Sequence, residues 1–370
     1  MRIIKLIIML SLIFFMFLPC TVNALETDES IEEINEVLDS SSDGVLTEND
    51  ISVENSEKIF SANIGDMLSW VWGKVTDEIA GPIRLLSSLL TIILLSSLVG
   101  NMYSTGKMNS CSKTAETAGV LISVITLTEP VSSCFLNAAN IITDGGSFML
   151  VYVPVMAGVM TAQGYITTAG SYQLTVLTFC EIAVQISSSV LIPALSICFS
   201  VGIVDAVNPG ISLGGLISGL KKTVTFILGL IMTLFTGLLA LQSTAGGAAD
   251  NLSVRTGKYL VSNLVPVVGK AVSDAYSTVY GSLGVLKTGI GTVGVTVFVL
   301  MAAVPLIKLF LYRAVTGMAA VAADILALGR LKKLFSDIES VFGIIISIDL
   351  VFSLMLVIST VTVMKTGSGA

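Results

Sequence analysis

"LTVLTFCEIAVQISSSVLIPALSICFSVGIVDAVNPGISLGGLISGLKK", residues 174–222, decides how this chain folds. Residues 174–204 are apolar enough for lipid, yet about 20 helical residues already cross a hydrocarbon core. The stretch is too long for one plain span. Pro193 removes a helical hydrogen bond, Asp205 puts a charge near the end of the run, and the sequence continues into NPGISLGGLISG (208–219). There Gly210/Gly214 and Gly215/Gly219 allow close backbone approach. The reading is a broken segment that crosses twice, or crosses once and re-enters. Such a backbone is tolerated only where protein or water shields it.

Charge counting favours the same break. The spanning stretches are 83–103, 118–142, 147–163, 174–204, 223–245, 289–311 and 340–364, with 314–328 an ambiguous extra. Seven plain crossings from an external N-terminus put seven Lys/Arg on each face. Lys107, Lys113, Arg255, Lys258, Lys270, Lys287 and Lys365 fall inside, while Lys221, Lys222, Lys308, Arg313, Arg330, Lys332 and Lys333 fall outside. That balance violates the positive-inside rule. A second passage within 174–222 changes the count to nine inside and five outside. The expected fold is therefore an all-α polytopic membrane protein of about seven transmembrane helices with a broken or re-entrant segment.

Composition agrees. Of 370 residues, 54% are hydrophobic and 12% charged, and the mean hydropathy is +0.91. These values lie outside soluble globular proteins and inside the polytopic membrane class. The net charge of -7 is uneven: residues 25–66 hold 13 of the 26 acids and one base, Lys58. Bases elsewhere are scattered without an Arg-rich stripe, so no nucleic-acid partner is expected. The lipid bilayer is the main surrounding. Cys20, Cys111, Cys134, Cys180 and Cys198 have no CxxC spacing and read as small packed residues rather than disulfide or metal partners. The absence of histidine removes Ser-His, Cys-His and HExxH chemistry. No catalytic residue, metal site or cofactor is expected.

Residues 1–24 read as a signal peptide, with Arg2 and Lys5 before an apolar run and Val-Asn-Ala ending at Ala24. Residues 25–66 form an acidic, largely disordered external segment. Within it, Ile31, Ile34, Val37 and Leu38 give one short apolar stripe, and DSSSDGVLTEND (39–50) imitates a calcium loop. Ser41 and Asp50 replace stronger ligands there, so the solvated-loop reading leads. Residues 67–82 read as an interfacial amphipathic helix with Trp70 and Trp72 at headgroup level. Then come a first transmembrane bundle (83–245), an amphipathic block (246–288) and C-terminal transmembrane helices (289–370).

Charged groups inside spans cost about 2.5–3.5 kcal/mol each on insertion scales. Glu129, Glu181 and Asp349 are centrally placed. They read equally as walls or ion-coupling groups of a hydrophilic path, or as paired structural groups. For Lys308 and Asp324 the structural reading leads. In the amphipathic block, Lys270, Ser273, Asp274, Ser277, Thr278 and Gly281 recur on one helical side while Val272, Ala275, Tyr276 and Val279 fill the other. Such a helix meets water or a neighbour at membrane depth, or rests on the membrane surface.

The block RTGKYLVSNLVPVVGKAVSDAYSTVYGSLGVLKTGIGTVG (255–294), followed by VPLIKLF (304–310), resembles the stage III sporulation protein AE family. PVMAGV (154–159) and the arrangement of spans fit as well. The resemblance implies a component of the channel joining mother cell and forespore, seated in the mother-cell membrane around the forespore. Its implied partners are the other stage III proteins of the same operon and a forespore-side protein; homo-oligomers stay open. No catalytic residue comes with the family. The motif positions expected to matter are Arg255, Lys258, Pro266, Gly269, Lys270, Asp274, Lys287, Gly291, Pro305 and Lys308.

Three hypotheses result. The leading one is a non-enzymatic subunit of a transenvelope channel. The second is a stand-alone ion-coupled permease using Glu129, Glu181 and Asp349. The third, an intramembrane hydrolase, lacks any motif.

Overall fold

The computed structural model describes residues 72–73, 76, 78–104, 109–208, 213–264 and 269–365. The signal peptide, the acidic segment with its calcium-like loop, half of the 67–82 helix including Trp70, and Pro266 lie outside them. Among the described residues all regular structure is helical. The helices are α1 Ala80–Ser104, α2 Asn109–Ala162, α3 Ile166–Ile186, α4 Ile192–Val207, α5 Gly214–Leu264, α6 Gly269–Ile325 and α7 Gly329–Lys365. A π-helical turn, Ser187–Leu191, joins α3 to α4 without a break.

Among the described residues, six stretches are long and apolar enough to cross a membrane: Ala80–Gly100, Thr114–Ala162, Ile166–Val207, Gly214–Asp250, Ser277–Ile325 and Gly329–Lys365. Two expected features are corrected. The turn between 142 and 147 does not form, because α2 runs through it. Gly145 and Gly146 are used there for contact: a Cβ on Gly145 would lie 2.7 Å from Phe298 and 2.8 Å from Phe352, and one on Gly146 would lie 2.8 Å from Val184. Tertiary packing overrides the turn signal. Likewise 314–325 is the continuation of α6.

The second passage expected within 174–222 is not seen among the described residues. Residues 166–207 form one continuous helical rod, and the chain leaves it only after Val207. Pro193 is accommodated by the π turn, in which the N–H of Ile192 reaches back to Ser187. Widening one turn to i→i+5 absorbs the missing donor and the ring.

The rods are long. At 1.5 Å per residue, 49 residues of α2 or α6 span about 74 Å, more than twice the ~30 Å hydrocarbon core. Antiparallel registers fix them. Gly119 of α2 meets Ser96 of α1, Gly317 and Arg313 of α6 face Glu339 and Gly343 of α7, and Gly291 packs on Met364. α1 is shorter: its start, Gly81, meets Tyr312, part-way along α6. α7 buries Leu331, Phe335, Phe342, Ile345 and Phe352 and packs against α2, α4, α5 and α6, which places it centrally among the described helices.

Two tight reversals share one hydrogen-bond pattern. At 163–165, Tyr165 donates to the carbonyl of Met160 (3.0 Å) with Gly164 at φ 90. At 326–328, Leu328 donates to Ala323 (2.9 Å) with Ala327 at φ 57. Glycine suits that left-handed position and alanine does not. Ala327→Gly is therefore expected to stabilise the protein by about 1 kcal/mol, read as a higher unfolding temperature in detergent.

Candidate functional site

Polar groups collect at three places. The first is the end of the bundle where α7 begins. Glu116 of α2 accepts the backbone N–H of Arg330 (2.9 Å), and Thr117 accepts its guanidinium (2.6 Å). Lys332 pairs with Asp324 of α6 (2.8 Å), and Lys333 with Asp205 of α4 (2.6 Å). Asp337 pairs with Lys221 of α5 (3.3 Å), and Glu339 with Arg313 of α6 (3.8 Å). The first turns of α7 thus tie to four other helices. Asp205, buried, also accepts the N–H of Leu213 (3.0 Å), the residue before α5. One carboxylate closes the chain reversal and holds a lysine.

The second place is the opposite end. Asp250, buried, accepts the N–H groups of Thr167 (3.1 Å) and Thr168 (2.7 Å). It caps α3 from another helix, since Tyr165 at its N-cap supplies no side-chain bond. A carboxylate suits that end because free N–H groups and the helix dipole both face it. Asp250→Ala is expected to remove about 2 kcal/mol of stability, whereas Asp250→Asn keeps part of it; thermal unfolding in detergent distinguishes them. Tyr165 bonds to Tyr280 of α6 (2.5 Å), and the Lys287 ammonium lies 5.8 Å from the Tyr165 ring.

The predicted motif residues divide. Arg255 and Lys258 lie on the last turns of α5, and Gly269, Lys270, Ser273 and Asp274 on the first turns of α6, with side chains outside the described set. Ser277 is half-buried, but Thr278 and Val279 are both exposed, so the described end of the stripe does not separate polar from apolar. Lys287 points inward and is only 3% exposed. Gly291 is a contact glycine against Met364 and Met156. Pro305 lies within α6, and Lys308 pairs with Glu78 (2.7 Å).

The third place is the outer surface of α2 and α3. Glu129 and Glu181 point outward. Asp349 points inward: it is fully buried, and neither carboxylate oxygen has a hydrogen-bond partner in the structure. Three carboxylates expected to behave alike therefore occupy two environments. Sequence reasoning missed Glu116, Asp250 and Asp337. The available signal was their position: Glu116 and Asp337 lie in the opening turns of helices, Asp250 opposite one.

Among the described residues, six apolar helices of membrane-crossing length define a multi-pass helical membrane protein. The chain belongs to the stage III sporulation protein AE family, whose model matches residues 49–367. It is similar to the Stage III sporulation protein AE of Bacillus subtilis (strain 168), at 22% identity over 301 residues, 79% of this chain and 75% of that protein. No solved structure matches it. It is thus a sporulation-related membrane protein.

Proposed function

We propose that the chain is a non-enzymatic integral subunit of a transenvelope channel linking mother cell and forespore during endospore formation. The observation that carries this reading is the family match across 49–367, laid over six helices of membrane-crossing length. In this reading it sits in the mother-cell membrane around the forespore, beside the other stage III proteins of its operon and a forespore-side partner. Its N-terminal segment is external after signal cleavage. The orientation draws support from the bases. Lys221, Lys222, Arg330, Lys332 and Lys333 cluster where α7 begins, whereas Arg255, Lys258 and Lys270 lie near the α5–α6 connection at the other end. The richer end faces the mother-cell cytoplasm.

Asp349 favours a second reading. A buried, unpartnered carboxyl in a central helix is what an ion-coupled permease uses. The test is direct. Tagged protein from sporulating cells is expected to co-purify with the sister stage III proteins, and the protein alone in liposomes is expected to move no solute. Solute movement by the chain alone, abolished by Asp349→Asn or Glu181→Gln, would establish the permease instead.

A further inference from the structure

The outer face of the α1–α2 pair carries two opposite charges. Arg84 of α1 and Glu129 of α2 are both exposed, and neither has an ion-pair partner among the described residues. Both lie in stretches of membrane-crossing length. A charge on the outside of such a helix is costly in lipid and turns towards protein or water.

The two charges stand at one depth and on one side. α1 and α2 are antiparallel and touch where Gly119 meets Ser96. Counted from that contact at 1.5 Å per residue, Arg84 lies about 18 Å along α1 and Glu129 about 15 Å along α2, in the same direction. At about 100° per residue, Arg84 is turned roughly 120° round α1 and Glu129 roughly 80° round α2. Because the helices run in opposite directions, both turns lead away from the core, where Leu89, Ile93, Leu127 and Cys134 are buried. The axes of packed helices are about 8–10 Å apart, so the two charges are neighbours without touching.

The rest of the face is apolar or small. Ile122, Ile125 and Leu136 of α2 and Leu95 of α1 are exposed around the charges. Ser88 donates to the carbonyl of Arg84 (2.9 Å) and Thr91 to that of Ser87 (2.8 Å), so neither hydroxyl needs an outside acceptor. Such small residues let another helix approach closely. Beside Glu129 a groove of about 860 Å³, bordered among the described residues by Ile125, Ser132, Ser133 and Leu136, leaves room for the side chains of that helix.

We propose that this face docks on the same face of a second copy, related by a two-fold axis along the membrane normal. Charge selects that occupant. Rotation about the normal keeps every residue at its own depth, and in a two-fold contact residue i meets j while j meets i. Arg84 of each copy therefore comes level with Glu129 of the other, to within about 3 Å, and one contact neutralises all four charges. Lipid chains neutralise none of them. A partner without both an acid and a base in this register leaves one charge unpaired. The pairing serves a channel subunit and a permease alike.

The experiment uses full-length protein, freed of native cysteines, in membranes from sporulating cells. One copy carries Arg84→Cys and a differently tagged copy carries Glu129→Cys. A short bifunctional thiol linker is expected to join the two tags; Leu241→Cys on α5 in place of Arg84→Cys is expected to join none. Arg84→Glu or Glu129→Arg alone is expected to weaken dimerisation in mild detergent about tenfold, and the two together are expected to restore it. No mixed-tag product, or no recovery in the double exchange, overturns the proposal. A link formed only within one chain carrying both cysteines also overturns it, because the charges then satisfy each other without a second copy. Linkage of Glu129→Cys to a sister stage III protein instead overturns this dimer and leaves the channel reading standing.

Discussion

Gly145→Leu is expected to remove about 3 kcal/mol or more of stability and to leave little folded protein in the membrane. Gly145 lies where three helices meet, with Phe298 of α6 and Phe352 of α7 against it. Their ring centroids are 6.4 Å apart. Even a methyl group would sit within 3 Å of both rings. The rings cannot step aside cheaply, because they belong to a core without space for other rotamers. Gly158→Leu on the same helix serves as the control: a Cβ there would meet no atom within 4 Å beyond its own helix backbone, so its unfolding temperature in detergent is expected to stay near that of the parent. Equal losses for the two variants would show that helix propensity, not the three-helix junction, sets the effect.

The second large effect is at Asp349. Its two oxygens lack partners while the side chain is fully buried. Its neighbours along α7, Ile345, Ile346, Ile348 and Phe352, are all apolar and buried. An unsatisfied buried polar group costs about 1–3 kcal/mol, so Asp349→Leu, close in length and apolar, is expected to return roughly that amount. Asp349→Lys is expected to lose about 3–5 kcal/mol, as an uncompensated buried charge does. Unfolding temperatures in detergent read both. If Asp349→Leu is more stable and sporulation of a strain carrying it fails, the carboxyl serves function at the expense of stability. If Asp349→Leu is less stable, a polar contact exists at that site and the assignment is wrong.

The class of fold was legible in the sequence because it follows from composition. Residues such as those of 340–364 have no other stable home than a hydrophobic helix. The number of helices was not legible. Residues 118–142 and 147–163 read as two spans, but Gly145 and Gly146 between them are needed where α2 meets α3, α6 and α7. Pro193 reads as a breaker, but one π turn absorbs it. At the glycines a contact between residues far apart in sequence outweighs a local preference of about 1 kcal/mol, whereas at Pro193 a local widening of the helix removes the conflict. The site was legible in part. Glu129, Glu181 and Asp349 stood out because charge in an apolar run is conspicuous, but direction round a helix depends on neighbours that a single sequence does not reveal. Asp205 and Asp250 illustrate the same limit: each meets backbone N–H groups supplied by another helix or by the reversal beyond its own.

The knot of ion pairs at the head of α7 has a temporal meaning. Glu116, Asp205, Lys221, Arg313 and Asp324 are all translated before Arg330, Lys332, Lys333, Asp337 and Glu339, the residues that complete them. A nascent chain still lacking α7 carries three acids and two bases waiting at the membrane boundary. Locking of the bundle therefore waits for α7, and a product truncated before residue 330 offers quality-control proteases an unfastened target.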